Sequence, residues 1–125
     1  MQYIVLIYGD EEKWSKVPSE QMAKLMEEYR EFTQGIVKSG HFRAGARLQP
    51  TSSATTLREK SGKRLMTDGP FAEAKEYLGG YYLLDCEHLD EAIAIAGRIP
   101  GLRFGDALEI RPIMPQAEAP RTASA

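Results

Sequence analysis

Cysteine is nearly missing from this chain. Cys86 stands alone among 125 residues, which excludes an intramolecular disulfide and any metal site built from several thiolates, and fits a reducing compartment. Histidine is almost as scarce: His41 and His88 are the only two, and neither is spaced with carboxylates in the way metal ligands are. No metal and no cofactor is expected. A basic excess is also lacking, since sixteen Lys and Arg against eighteen Asp and Glu give a formal net charge of −2. Such a chain has little with which to neutralise a phosphate backbone or coat an anionic lipid surface, so neither nucleic acid nor membrane is an expected partner. No apolar run reaches the length of a membrane span, and the opening Gln2-Tyr3-Ile4-Val5-Leu6-Ile7-Tyr8 lacks the positive start of a signal peptide. The expected address is the cytoplasm.

What is present is ordinary for a soluble domain, with 42% hydrophobic and 27% charged residues. Residues 1–114 read as one domain with a core of its own, and residues 115–125 have the composition of a disordered tail. Tyr3 to Tyr8 is apolar without alternation, the pattern of a central strand covered on both faces. Glu11 to Val17 reads as a polar loop whose Trp14 packs as a lid over a helix end. A helix from Pro18 or Ser19 carries Met22, Leu25, Met26, Tyr29, Phe32, Ile36 and Val37 as its core stripe and ends at Gly40. His41 to Gln49 alternates as a strand, with His41, Arg43 and Arg47 on one side. Ala54 to Glu59 and Lys63 to Thr67 form a hairpin over Lys60-Ser61-Gly62. Tyr81 to Cys86 is a further apolar strand, a helix follows from Glu87 or His88 to Pro100-Gly101, and Ala107 to Ile113 is a last strand with Leu108 and Ile110 inward.

Without the hairpin the order is β-α-β-β-α-β, the ferredoxin-like α+β arrangement: an antiparallel sheet with two helices on one face. The other face has no helix to cover it although its central strands are apolar on both sides. A homodimer joined through that face is therefore expected.

The densest chemistry lies in Thr67-Asp68-Gly69-Pro70-Phe71, followed by Glu73, Lys75, Glu76 and Gly79-Gly80-Tyr81-Tyr82. Asp-Gly-Pro is turn chemistry, which places the Asp68 carboxylate by backbone shape rather than by strand pairing. Asp68 is the candidate acid or base, its pKa raised if Phe71 and Tyr81 or Tyr82 bury it. Gly69, Pro70, Phe71, Lys75 and Tyr82 are the candidate residues around a small ligand there. Arg43 and Arg47, with His41, are a candidate anion-binding wall.

This block resembles the DGPF type of the YCII-related proteins. The agreement runs from Tyr3-Ile4-Val5-Leu6-Ile7-Tyr8 through Leu48-Gln49-Pro50, Thr55-Thr56, Thr67 to Glu76 and Leu78-Gly79-Gly80-Tyr81-Tyr82 to Glu109-Ile110-Arg111-Pro112. The resemblance implies a dimeric α+β barrel built from ferredoxin-like subunits. It also implies a His–Asp centre in which Asp68 matches the aspartate; the helix that supplies the histidine in the wider family has none here, and His41 is its nearest neighbour. DGPF proteins are also similar to domains encoded beside, or fused to, extracytoplasmic-function sigma factors, which implies a regulatory context.

Three classes of function remain open. One is a cofactor-independent enzyme acting on a small polar substrate through Asp68; another is a non-catalytic sensor or accessory domain that holds a small molecule. The third, RNA binding on a βαββαβ sheet, has only Gly79-Gly80-Tyr81-Tyr82 in its favour and the charge balance against it.

Overall fold

The computed structural model describes residues 1–115. The expected tail, 115–125, falls almost wholly outside the described residues. Strand β1 (Gln2–Gly9) leads into a short helix α1 (Glu11–Ser15) and the long α2 (Ser19–Lys38); β2 (Phe42–Arg47), a single 3-10 turn over Thr51–Ser53 and the hairpin β3 (Thr55–Lys60) and β4 (Lys63–Asp68) follow. The chain then forms β5 (Tyr77–Asp85), α3 (Leu89–Ala96), α4 (Pro100–Arg103) and β6 (Ala107–Pro112).

The main sheet has the order β2-β5-β1-β6 with antiparallel neighbours, and β3-β4 is a separate two-stranded sheet. With the hairpin set aside, this is the strand order of a ferredoxin-like α+β fold. β1 is central, as its two-sided apolarity requires. β6 lies at an edge, where Pro112, opposite Tyr3, deprives no inner strand of a donor.

Burial alternates along the central strands. Tyr3, Val5 and Ile7 of β1 and Tyr82 and Leu84 of β5 point to the helix-covered face, where they meet Ile36 of α2 and Ala92, Ile95 and Ala96 of α3. Leu108 and Ile110 of β6 pack against the same cluster. Full burial of Val5, Ile36, Leu84 and Ile99 contributes about 1.5–3 kcal/mol for each side chain. On the opposite face Ile4, Leu6, Tyr8, Tyr81 and Leu83 are only half-buried.

Several local readings change. Glu11–Ser15 is a helix and not a loop, because Asp10 caps it: its carboxylate accepts from the backbone N–H of Glu12 at 3.0 Å and of Lys13 at 3.4 Å. Asp68 is the last residue of β4, opposite Thr55; strand pairing, not the turn, sets its position. Gly69, which follows it, does take φ +109°. The hairpin turns over Ser61 and Gly62, both at positive φ, as a tight primed turn requires. Gly79 and Gly80 lie inside β5, where the register with β1 shifts between Ile7 and Tyr8 and leaves Gly79 as the extra residue of a bulge. Pro100 does not end α3 but opens α4, the first-turn position at which its missing N–H matters least.

Candidate functional site

A cavity of about 880 Å³ opens between α2 and the end of the sheet where β2 and β5 meet. Its size falls in the range that holds a small organic ligand. One wall is the inner stripe of α2: Met22, Met26, Tyr29 and Thr33, spaced by four, three and four residues so that they share a face. Gly45 and Arg47 of β2 and Gly79, Gly80 and Tyr82 of β5 make the floor. Trp14 of α1, Pro50 and Asp106 close the end. Tyr82 is held by a 2.7 Å hydrogen bond between its hydroxyl and that of Thr33, and by edge-on packing against Phe32 and Phe42. Burial raises the pKa of this hydroxyl, opposed by the Thr33 bond.

Asp106 is the buried charged side chain of the described residues, 8% exposed. It stands in the turn between α4 and β6, after Gly105 at φ +109°, and its backbone N–H donates to the carbonyl of Gly101 at 3.0 Å. Its carboxylate Oδ1 accepts from Trp14 Nε1 at 2.8 Å. Two glycines far apart in the chain make the space it occupies. A Cβ at Gly9 would stand 2.5 Å from Oδ1, and a Cβ at Gly101 would stand 2.5 Å from the Tyr29 hydroxyl and closer still to Asp106 Oδ2.

The surroundings of this carboxyl favour its proton. Burial pushes the Asp106 pKa up, while the Trp14 hydrogen bond and the charge of Lys13 pull it down and Glu76 adds a further upward push. Tyr29 is pushed up to about 12, first by burial and then by the nearby Asp106, against the Gly101 N–H that its hydroxyl accepts at 3.1 Å. Tyr29 therefore stays a neutral phenol at any physiological pH. A carboxyl group with a raised pKa on the wall of a partly apolar cavity is the kind of group that donates a proton or a hydrogen bond to a ligand. Trp14 does pack over a helix end, against Phe104 after α4 with ring centroids 4.4 Å apart. Its indole N–H serves the site as well.

The residues singled out in the sequence separate. Tyr82 forms part of the cavity floor, whereas none of Asp68, Gly69, Pro70, Phe71 and Lys75 lines it. Asp68 is exposed. The turn beside it is held by Gly69, whose N–H donates to Ala54 at 2.7 Å and whose carbonyl accepts from Thr56 Oγ1 at 2.9 Å. Phe71 is 71% exposed beneath the Arg58 guanidinium, 4.6 Å from its ring centre. Lys75 is exposed and Pro70 half-buried.

His41, Arg43 and Arg47 do not make one wall, because β2 bulges between Phe42 and Ala44. Arg43 turns to Asp85 at 2.8 Å and to the carbonyls of Gly40 and Phe42. His41 lies between Ser39 Oγ at 2.7 Å and Glu91 Oε2 at 3.1 Å. Only Arg47 of the three reaches the cavity. His41 and Asp68 therefore take part in no shared centre within the chain. Among the described residues no cluster of three or more His, Cys, Asp or Glu side chains is placed to hold a metal. Asp106, Thr33 and the hydroxyl of Tyr29 are site residues that sequence reasoning passed over; the glycines were the available signal, Gly9 where β1 ends and Gly101 in the first turn of α4.

The fold and cavity define a ferredoxin-like α+β domain with a concave, partly apolar site. The YCII-related domain family matches residues 1–117, and the chain belongs to that family. An uncharacterized protein of Rhizobium meliloti (strain 1021) is 39% identical over 114 residues, covering 90% of this chain and 92% of the relative.

Proposed function

We propose that the protein binds a small organic molecule in the cavity between α2 and the β2–β5 end of the sheet, and that Asp106 exchanges a proton with it without a cofactor. The observation that carries this reading is the burial of Asp106 at the cavity wall, with its pKa raised and the neutral Tyr29 beside it. A buried carboxyl is expensive to keep and its natural use is acid–base chemistry. The acid is thus Asp106, and Asp68 belongs to the end of the hairpin's second strand.

The same reading takes the uncovered sheet face as the contact with a second copy. Its support is the stripe of Ile4, Leu6, Tyr8, Tyr81 and Leu83, half-buried and lying on the side away from the core cluster.

Trp14 is the only tryptophan and lines the cavity, so its fluorescence reports occupancy directly. A panel of small carbonyl compounds with exchangeable C–H bonds is screened by this signal, and each binder is followed by NMR in D₂O with the parent and Asp106→Asn. Exchange of the C–H in the parent, lost in a folded Asp106→Asn variant, is the expected result. A panel that leaves Trp14 unchanged removes the ligand site. Equal exchange in both proteins makes Asp106 a structural tie between α1 and β6.

A further inference from the structure

We infer that the ligand of this cavity is an organic monoanion, a molecule with an apolar body and one carboxylate, and that Arg47 binds the carboxylate. The inference deepens the ligand-site reading above and rests on it. Its basis is the partnering of each acidic and basic side chain that lines the cavity. Glu11 accepts from the Thr51 N–H at 2.9 Å and the Thr51 hydroxyl at 2.7 Å. Glu12 faces Lys16 at 3.9 Å, Arg30 is paired with Glu27, and Asp106 is bonded to Trp14. Arg47 is left over. Among the described residues no ion pair includes it, and its guanidinium donates only to the thioether of Met26, at 3.2 Å.

A thioether is a weak acceptor, and a guanidinium offers five donors in a planar fork that fits a carboxylate. Arg47 stands at the end of β2, opposite Gly80, so no neighbouring side chain on β5 competes for it. Its contact with Met26 sets the cation against α2, the wall that also carries Tyr29. The walls beside it are apolar, chiefly Met22, Met26, Leu48 and Pro50, and these suit a hydrocarbon body. The Asp106 carboxyl is turned to the Trp14 indole, whose N–H it accepts at 2.8 Å, and is not paired with Arg47.

Three probes of one shape decide the matter: phenylacetate, phenylacetamide and phenethylamine, titrated against the dimer or monomer as it exists at pH 7 and read by Trp14 fluorescence. The parent is expected to bind phenylacetate roughly tenfold to a hundredfold more tightly than phenylacetamide, the range for a hydrogen bond to a charged group, and to bind phenethylamine least. Arg47→Gln brings the acid-to-amide ratio near one without lowering amide affinity, and Arg47→Lys keeps part of it. Added salt weakens phenylacetate more than phenylacetamide. An amide that binds the parent as well as the acid does, or a ratio unchanged in Arg47→Gln, overturns the anion assignment while leaving the cavity a ligand site. If none of the three probes perturbs Trp14, the ligand-site reading itself falls and takes this inference with it.

Discussion

Replacing Gly101 with alanine tests whether the space around Asp106 is as closed as the packing indicates. Gly101 is in α4 with a helical neighbourhood, so without contacts the change would stabilise the protein by about 0.5–1 kcal/mol through the unfolded chain. The added Cβ instead meets the Tyr29 hydroxyl at 2.5 Å and Asp106 Oδ2 more closely, and neither is the free end of a flexible chain: Tyr29 is anchored to the Gly101 N–H and Asp106 to Trp14. Overpacking of that kind costs about 1–3 kcal/mol, and loss of the Tyr29 hydrogen bond adds about 1 kcal/mol. The net expectation is a loss of about 2 kcal/mol, or about 8 °C in melting temperature for a domain of this size. Urea denaturation followed through Trp14 measures it. Gly35→Ala in α2, where a Cβ meets nothing within 4 Å, serves as the control and should gain about 0.5–1 kcal/mol. Tyr29→Phe in the Gly101→Ala background should recover part of the loss, giving a coupling above about 0.5 kcal/mol. A Gly101→Ala protein as stable as the parent, with the control behaving as stated, would refute the account of the site.

The pH dependence of Asp106→Asn follows from the raised pKa. The folded state holds the Asp106 proton to higher pH than the unfolded state, so the parent loses stability as pH rises from the unfolded pKa through the folded one, by about 1.4 kcal/mol per unit of elevation. The Asn variant lacks this loss; its stability relative to the parent should rise as pH climbs above the ordinary aspartate pKa of about 3.9, and a difference flat with pH in urea titrations would contradict the burial argument. At the hairpin, Gly69→Ala should cost about 1–2 kcal/mol from its positive φ alone, since nothing stands within 4 Å of the added Cβ. Asp68→Asn should stay within about 0.5 kcal/mol of the parent, and a larger drop in the melt would give its carboxylate a structural partner that the geometry does not show.

How much of this could be read from the chain depends on whether the signal was local. β1 announces itself by its unbroken apolar run, and α2 and β6 by periodicity: Val5, Leu25 and Ile36, and the pair Leu108 and Ile110 lie in or against the core. α1 has no such stripe and no buried residue; its only local mark is the Asp10 cap. Gly79-Gly80 resembles a strand boundary, yet both residues pair or bulge within β5. The site was the least legible part. Asp106 follows a glycine in an apparently ordinary turn, and its burial is made by Gly9, Trp14, Tyr29 and Gly101, which only the fold assembles. The Asp68 block carried the local turn signal instead. It is well specified as a turn, and that specificity is spent on the hairpin's exit.

The excursion that contains this hairpin leaves the sheet and returns to it at one point: the N–H of Leu48, after β2, donates to the carbonyl of Gly79, in β5, at 2.9 Å. For the sheet, everything between is a single long connection between adjacent antiparallel strands. Closure entropy grows with the logarithm of such a connection, about 0.6 kcal/mol for each doubling, so the whole excursion costs roughly 2 kcal/mol more than a tight four-residue turn. A change in its length therefore costs the sheet little, and the register of β2 on β5, which forms the floor of the cavity, does not depend on it.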